Sequence, residues 1–271
     1  MLPRFTTGPH EGLVNSALLH PITLALFAAD ITLPLPPHAG LSRRAVERFA
    51  SVAQRVAAGG SKLDSLLWPV AEAALAGFSI RQVEAGTRSL PQPRDTDFNT
   101  LFTAVSGSLF ADIEAKANLW QRARTFTPAA ATKTVAANET ELTAEMLSMV
   151  EAYQLAYANL HEIWSLVLPP QTLLALKRLS QARAATFSIA PNLWARIVYD
   201  VTLAFHLRTI NRGHMLGAFT PLYLAWVASF LRSTGEDTKT AADLIDQTAA
   251  AFETEKPYLV ARWRWPDRFN P

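Results

Sequence analysis

The sequence contains no cysteine. That excludes disulfides, thiolate catalysis and thiolate-ligated zinc, and a reducing cytoplasm suits such a chain. An excess of one charge is missing too: 25 Lys and Arg stand against 23 Asp and Glu, for a net charge of +2. With no basic run either, there is no electrostatic footprint for nucleic acid. The chain has no Gly-rich phosphate loop and no G-x-S-x-G elbow, so nothing supports a serine hydrolase. The histidines, His10, His20, His38, His161, His206 and His214, lack H-x-H or H-x-x-x-H spacing, which argues against a metal site. There is no internal repeat. The opening MLPRFTTGPHEG lacks the apolar run of a signal peptide, and a cytoplasmic location is expected.

What is present is apolar residue, 49% of 271 positions, enough for a sizeable core in one or two domains. The longest uncharged stretch, HMLGAFTPLYLAWVASFL (214–231), nears membrane-spanning length. It contains Thr220, Pro221 and Ser229 and ends at Arg232, and reads as a buried helix rather than a membrane span.

Hydrophobic spacing predicts a helix over 12–28 with a break or kink at Pro21, then a short strand at 31–35. After the turn LPLPPHAGLS (33–42), Ser42 caps a helix whose inner face is Val46, Phe49, Val52, Ala53 and Val56, and Gly59-Gly60 ends it. A helix follows at 63–76, with Pro69 an awkward member. FSIRQVEAG (78–86) reads as a strand, and a long helix spans 97–122. Residues 125–138, rich in Ala and Thr, read as a linker. Beyond them Leu142, Met146, Met149, Val150, Tyr153, Tyr157, Leu160 and Trp164 form one helical stripe. Further helices are expected at 170–184, 192–208, 214–232 and 238–254, with a short terminal one carrying KPYLVARW. The predicted fold is α+β and predominantly helical: a partial α/β layer of two or three strands at 1–124, a linker at 125–138 and a helical region at 139–271. So few strands do not complete an α/β domain.

Few residues suggest chemistry. Asp95-Thr96-Asp97 matches a two-carboxylate pattern that holds a divalent cation and a nucleotide diphosphate, but here it opens a helix, where Asp is favoured as a cap. Asp64 and Glu72 lie two turns apart on one helix. Asp64 serves either as a base or as a cap. Trp164, Trp194, Tyr199, Phe205, Tyr223, Trp226, Phe230, Trp263 and Trp265 have faces suited to sugar stacking, although helical spacing makes them core first. The turn 33–42 loses three backbone donors to Pro34, Pro36 and Pro37.

The segment GPHEGLVNSALLHPITLALFAADITLPLPPHAGLS (8–42) resembles GT-A-type glycosyltransferases of the family 2 superfamily, similar to mannosylglycerate and glucosyl-3-phosphoglycerate synthase-like enzymes. Their pattern runs Glu-Gly, an apolar helix ending in Pro-Leu, a small strand, then Gly-Gly-Asp/Glu-Phe-Gly-Leu-Ser. GSLFADIEAKANLW (107–120), WARIVYDVTLAFHLR (194–208), FTPLYLAWVASFL (219–231) and FETEKPYLVARW (252–263) extend the likeness to nearly the whole chain. It covers the rear of such an enzyme only. The nucleotide-binding strands with their metal-binding Asp-x-Asp have no counterpart.

The resemblance implies an acceptor-binding turn at His38, Gly40 and Ser42, and a catalytic position near Asp64. The turn departs from the pattern: Gly-Gly reads Pro36-Pro37, the acidic residue reads His38 and the Phe reads Ala39. A metal-ligand His of the family aligns near Leu90, which binds no metal. Glu11, Gly12, Pro21, Gly40, Ser42 and Gly77 survive as scaffold. The expectation is a glycosyltransferase-like protein without its nucleotide-binding half, inactive alone and needing no cofactor by itself. Intact relatives use Mg²⁺ or Mn²⁺. The alternatives are a split enzyme completed by a partner chain and a non-catalytic helical interaction module. A homo-oligomer is also open to it.

Overall fold

The computed structural model describes residues 1–59, 66–88, 97–122 and 143–266, and the chain divides into two units, Met1–Thr127 and Pro128–Pro271. The expected linker, 125–138, lies outside the described residues. The structure is 71% helical with two parallel strands, an α+β fold dominated by helix.

The first unit begins with a strand that hydrophobic spacing did not reveal. β1, Leu2–Thr6, pairs in parallel with β2, Gln82–Thr87, with Leu2 opposite Gln82 and Arg4 opposite Glu84. β1 is short and contains Pro3, a residue found in strands at edges. β2 lies later than the 78–86 expected. Residues 31–35 form no strand. The Gln82 side chain takes the place of a strand partner there: it donates to Asp30 O at 3.1 Å and accepts from Thr32 N at 3.2 Å and Thr32 Oγ1 at 2.9 Å. Pro34, Pro36 and Pro37 lack the donors a ladder needs. Leu2, Ala29, Ile31 and Val70 bury together beneath the sheet.

Where a break or kink is expected at Pro21, the helix changes type. A π-helical turn, Asn15–Leu19, runs into α1, His20–Phe27, with Pro21 in its first turn. A proline inside a helix removes a hydrogen bond and crowds the carbonyl four residues back, and a wider turn relieves both. Every residue of α1 is buried. His20 is a satisfied core histidine, donating from Nδ1 to Ile31 O at 3.0 Å.

α2, Arg43–Gly59, starts where expected, with Ser42 Oγ accepting from Ala45 N at 3.3 Å. Its buried face is Ala45, Phe49 and Val52, whereas Val46 is 49% exposed. Pro69 opens a helix rather than interrupting one: α3 is Pro69–Leu75, and proline at N1 forfeits no intrahelical bond. Gly77, at φ +68°, closes α3 with paired bonds from Phe78 N to Ala73 O and Gly77 N to Ala74 O, a geometry that favours glycine. The long helix expected at 97–122 is two: α4, Phe98–Ala115, and α5, Ala117–Trp120, broken at Lys116.

The second unit is helical throughout its described residues. α6 is Ala144–Ser165, α7 Pro170–Ser180, α8 Pro191–Leu207, α9 Arg212–Thr234 and α10 Thr238–Arg264, with a single 3₁₀ turn at Ala184–Thr186. α6 packs on α9 and α7, and α8 packs on α10. Tyr153 donates to Leu176 O at 2.9 Å and Trp164 to Ala218 O at 2.9 Å, tying α6 to α7 and α9. α10 is one helix through Pro257, not a helix at 238–254 followed by a shorter one. Packing of its inner face onto α8 overrides the proline. α9 is long and apolar enough to cross a membrane by length and composition, and 78% of that window is buried within the structure.

Candidate functional site

The turn at 33–42 was the strongest sequence candidate. His38, Gly40 and Ser42 are all exposed. Gly40 and Met1 exchange backbone hydrogen bonds of 2.9 and 2.8 Å, which fastens the turn to β1. Ser42 spends its hydroxyl oxygen on the α2 cap. The turn is therefore anchored at its C-terminal end, by the Gly40 backbone and the Ser42 side chain, and it offers no carboxylate.

Two apolar recesses flank it. One, about 480 Å³, has walls from Leu2, Leu41, Phe49, Val70, Phe78 and Ile80, with Gly40 and Ser42 at the turn. The other, about 310 Å³, is formed by Leu33, Leu35 and Pro37 of the turn against Leu101, Phe102 and Val105 of α4. No charged side chain is among the described residues lining either. The turn thus joins Gly40 and Ser42 in one recess and leaves His38 outside it. Asp64, Leu90 and Asp95 lie outside the described residues. Asp97 acts as a helix cap: it accepts from Thr100 N at 3.1 Å at the start of α4.

Ionisable groups gather in two networks, around the buried carboxylates of Glu72 and Asp200. In the first unit, Glu72 of α3 meets Lys116 Nζ at 2.9 Å and Arg48 Nη2 of α2 at 3.1 Å, and Lys116 also contacts Asp112 of α4. Glu72 was paired in the sequence with Asp64; its observed partners are these cations. Burial raises the Glu72 pKa, but Lys116 and Arg48 together outweigh it and hold the carboxyl below its ordinary value. Asp112 goes the other way: burial pushes it up to about 6 against the pull of Lys116.

In the second unit, Asp200 of α8 is 1% exposed, accepts from Tyr258 Oη at 2.7 Å and contacts Arg262 of α10. Burial pushes Asp200 up to about 7, although Arg262, Tyr258 and Arg196 pull it down. Arg196 pairs with Glu255 at 2.9 Å beside this cluster. The sequence signal was a lone charge inside an apolar run, VYDVTLAF, together with Tyr258 and Arg262 four residues apart. A group that performs proton transfer must reach a substrate, and Glu72 and Asp200 are buried between helices at 5% and 1% exposure.

Trp194, Tyr199, Phe205, Tyr223, Trp226 and Phe230 are core residues, with Trp194 stacked on Phe219 at 5.8 Å, so sugar stacking is closed to them. Trp164 is buried too, Trp263 is half-buried and stacked on His206 at 4.1 Å, and Trp265 is 63% exposed. Among the described residues no three His, Asp or Glu side chains converge. Compared with known proteins, the chain matches no family model, no curated protein and no solved structure.

Proposed function

We propose that this chain is the acceptor-side and helical portion of a nucleotide-sugar-dependent glycosyltransferase-like protein, without the half that grips the donor, and that it transfers no sugar alone. The sequence resemblance suggests the family. The observation that carries the incompleteness is the sheet. Parallel strands occur almost entirely in sheets covered on both faces, and a two-stranded sheet has little stability of its own. Here β2 has five of its six residues exposed, including Val83 at 48%.

A specific feature favours a second reading, a split enzyme completed by a partner chain. Up to the register shift between Arg4 and Thr6, strand alternation turns the backbone groups of Gln82 and Glu84 away from β1. Among the described residues no third strand pairs with them. The opposite edge is blunted by Pro3 and closed at Met1 by Gly40. Strand addition therefore has one open side, that of β2.

Calorimetric titration of nucleoside-diphosphate sugars with Mg²⁺ or Mn²⁺ into the isolated chain tests the first reading. The expected result is no saturable binding and no release of nucleoside diphosphate. Saturable, metal-dependent binding or turnover would overturn it. The second reading predicts that a nucleotide-binding partner with an Asp-x-Asp strand protects the amides of Gln82 and Glu84 from exchange.

A further inference from the structure

From the larger recess we infer a binding site for a neutral, aliphatic small molecule. The inference stands on the recess itself. It shares Gly40 and Ser42 with the turn discussed above but requires no sugar transfer.

Three observations lead there. The volume, about 480 Å³, is within the range of ligand-holding pockets, which runs from about 300 to 1,000 Å³. The walls come from β1, the turn, α2, α3 and the chain leading to β2, all within one unit, so the recess belongs to a single packed body. Its described side chains are apolar apart from two serines, Ser42 and Ser79, and the Met1 amino group at its edge donates to Gly40 O at 2.8 Å. Ser42 already accepts from Ala45 N. At roughly 30 Å³ per water, on the order of 15 waters would occupy this space against walls that offer them few hydrogen bonds. An aliphatic chain releases that water and meets Leu2, Phe49, Val70 and Ile80 by dispersion.

The lining also argues against the small acid that the sequence resemblance implies as an acceptor. The cationic group at the described lining is the Met1 ammonium, which is exposed to solvent and already donates to Gly40 O at 2.8 Å, so a carboxylate taken in between Leu2, Phe49 and Ile80 leaves water without a buried cationic partner, which is costly. The ligand class set by the recess is therefore hydrocarbon with at most a hydroxyl, which Ser79 at the rim can bond.

The test is calorimetry on the full chain with 1-hexanol, 1-octanol and 1-decanol, and with lactate as the acid. Affinity is expected to rise about fourfold per added methylene until the recess is full. Lactate is expected to give no saturable heat. Ala73 lines this recess and not the smaller groove, so Ala73→Phe is expected to weaken 1-decanol binding at least tenfold. Ser79→Tyr fills the rim from an exposed position and serves if Ala73→Phe fails to fold, as judged by circular dichroism. A flat alcohol series, lactate binding tighter than 1-decanol, or unchanged 1-decanol affinity in a folded Ala73→Phe protein would each overturn the inference.

Discussion

Replacing Asp200 by Asn and by Ala separates two energetic roles of one buried carboxylate. Asp200 is 1% exposed and Arg262 is 5% exposed, so water screens neither. Burial raises the Asp200 pKa from 3.8 to about 7, which means that the folded protein holds this proton more tightly than the unfolded chain. The stability it contributes is complete below pH 3.8 and is lost as the pH rises through about 7. Between those values the slope is at most ~1.4 kcal/mol per pH unit. Moving from pH 5 to pH 7 therefore costs the parent on the order of 2 kcal/mol relative to Asp200→Asn, which cannot ionise. Asn keeps an acceptor for Tyr258 and Arg262, so at pH 8 it is expected to be at least as stable as the parent. Asp200→Ala removes the acceptor, leaves a buried guanidinium, and is expected to cost about 3–5 kcal/mol. The assay is urea unfolding at 25 °C at pH 5 and pH 7, read from the transition that Asp200→Ala displaces. If the parent gains on Asp200→Asn as the pH rises, the carboxylate is held ionised by Arg262 and the reasoning fails.

Pro257 lies inside α10, where it removes a helical hydrogen bond at a cost of up to ~3 kcal/mol, so Pro257→Ala is expected to raise stability by about 1–3 kcal/mol. An unchanged or lower urea midpoint would mean that Pro257 helps to seat Tyr258 and Arg262 against α8. Gln82→Leu removes three hydrogen bonds to Asp30 and Thr32 and is expected to cost about 1–3 kcal/mol. Its signature is faster amide exchange at Thr32, and unaltered exchange there would show that the prolines alone hold the turn.

The helices of the second unit were legible because their apolar spacing is the same signal that their packing uses. The stripe through Met146, Val150, Tyr153 and Trp164 is the buried face of α6, and Ser42 caps α2 as the residue type suggests. The failures share a cause: a local signal overridden by a distant partner. LPRFT looks like no strand because Pro3 interrupts it, and pairing with residues 80 positions later makes it one. ITLPL alternates like a strand, but its prolines cannot donate, and the side chain of Gln82 supplies the bonds instead. KPYLVARW looks like a separate helix because Pro257 precedes it, yet Tyr258 and Arg262 are anchored to Asp200 and hold it on α10.

The candidate site was legible only as a place. LPLPPHAGLS marks an unusual turn, and its neighbours in space come from positions 2, 49, 70, 78 and 80, a set that no spacing rule connects. What this set reveals is how polarity is divided in the first unit. Glu72, Asp112, Lys116 and Arg48 neutralise one another between helices, so the recess beside the turn is left to apolar walls. The side-chain cations nearest these acids are committed to them, Lys116 and Arg48 to Glu72 and Arg43 to Glu47 at 2.9 Å, and so the ligand inferred for the recess is one selected by hydrophobic contact rather than by charge.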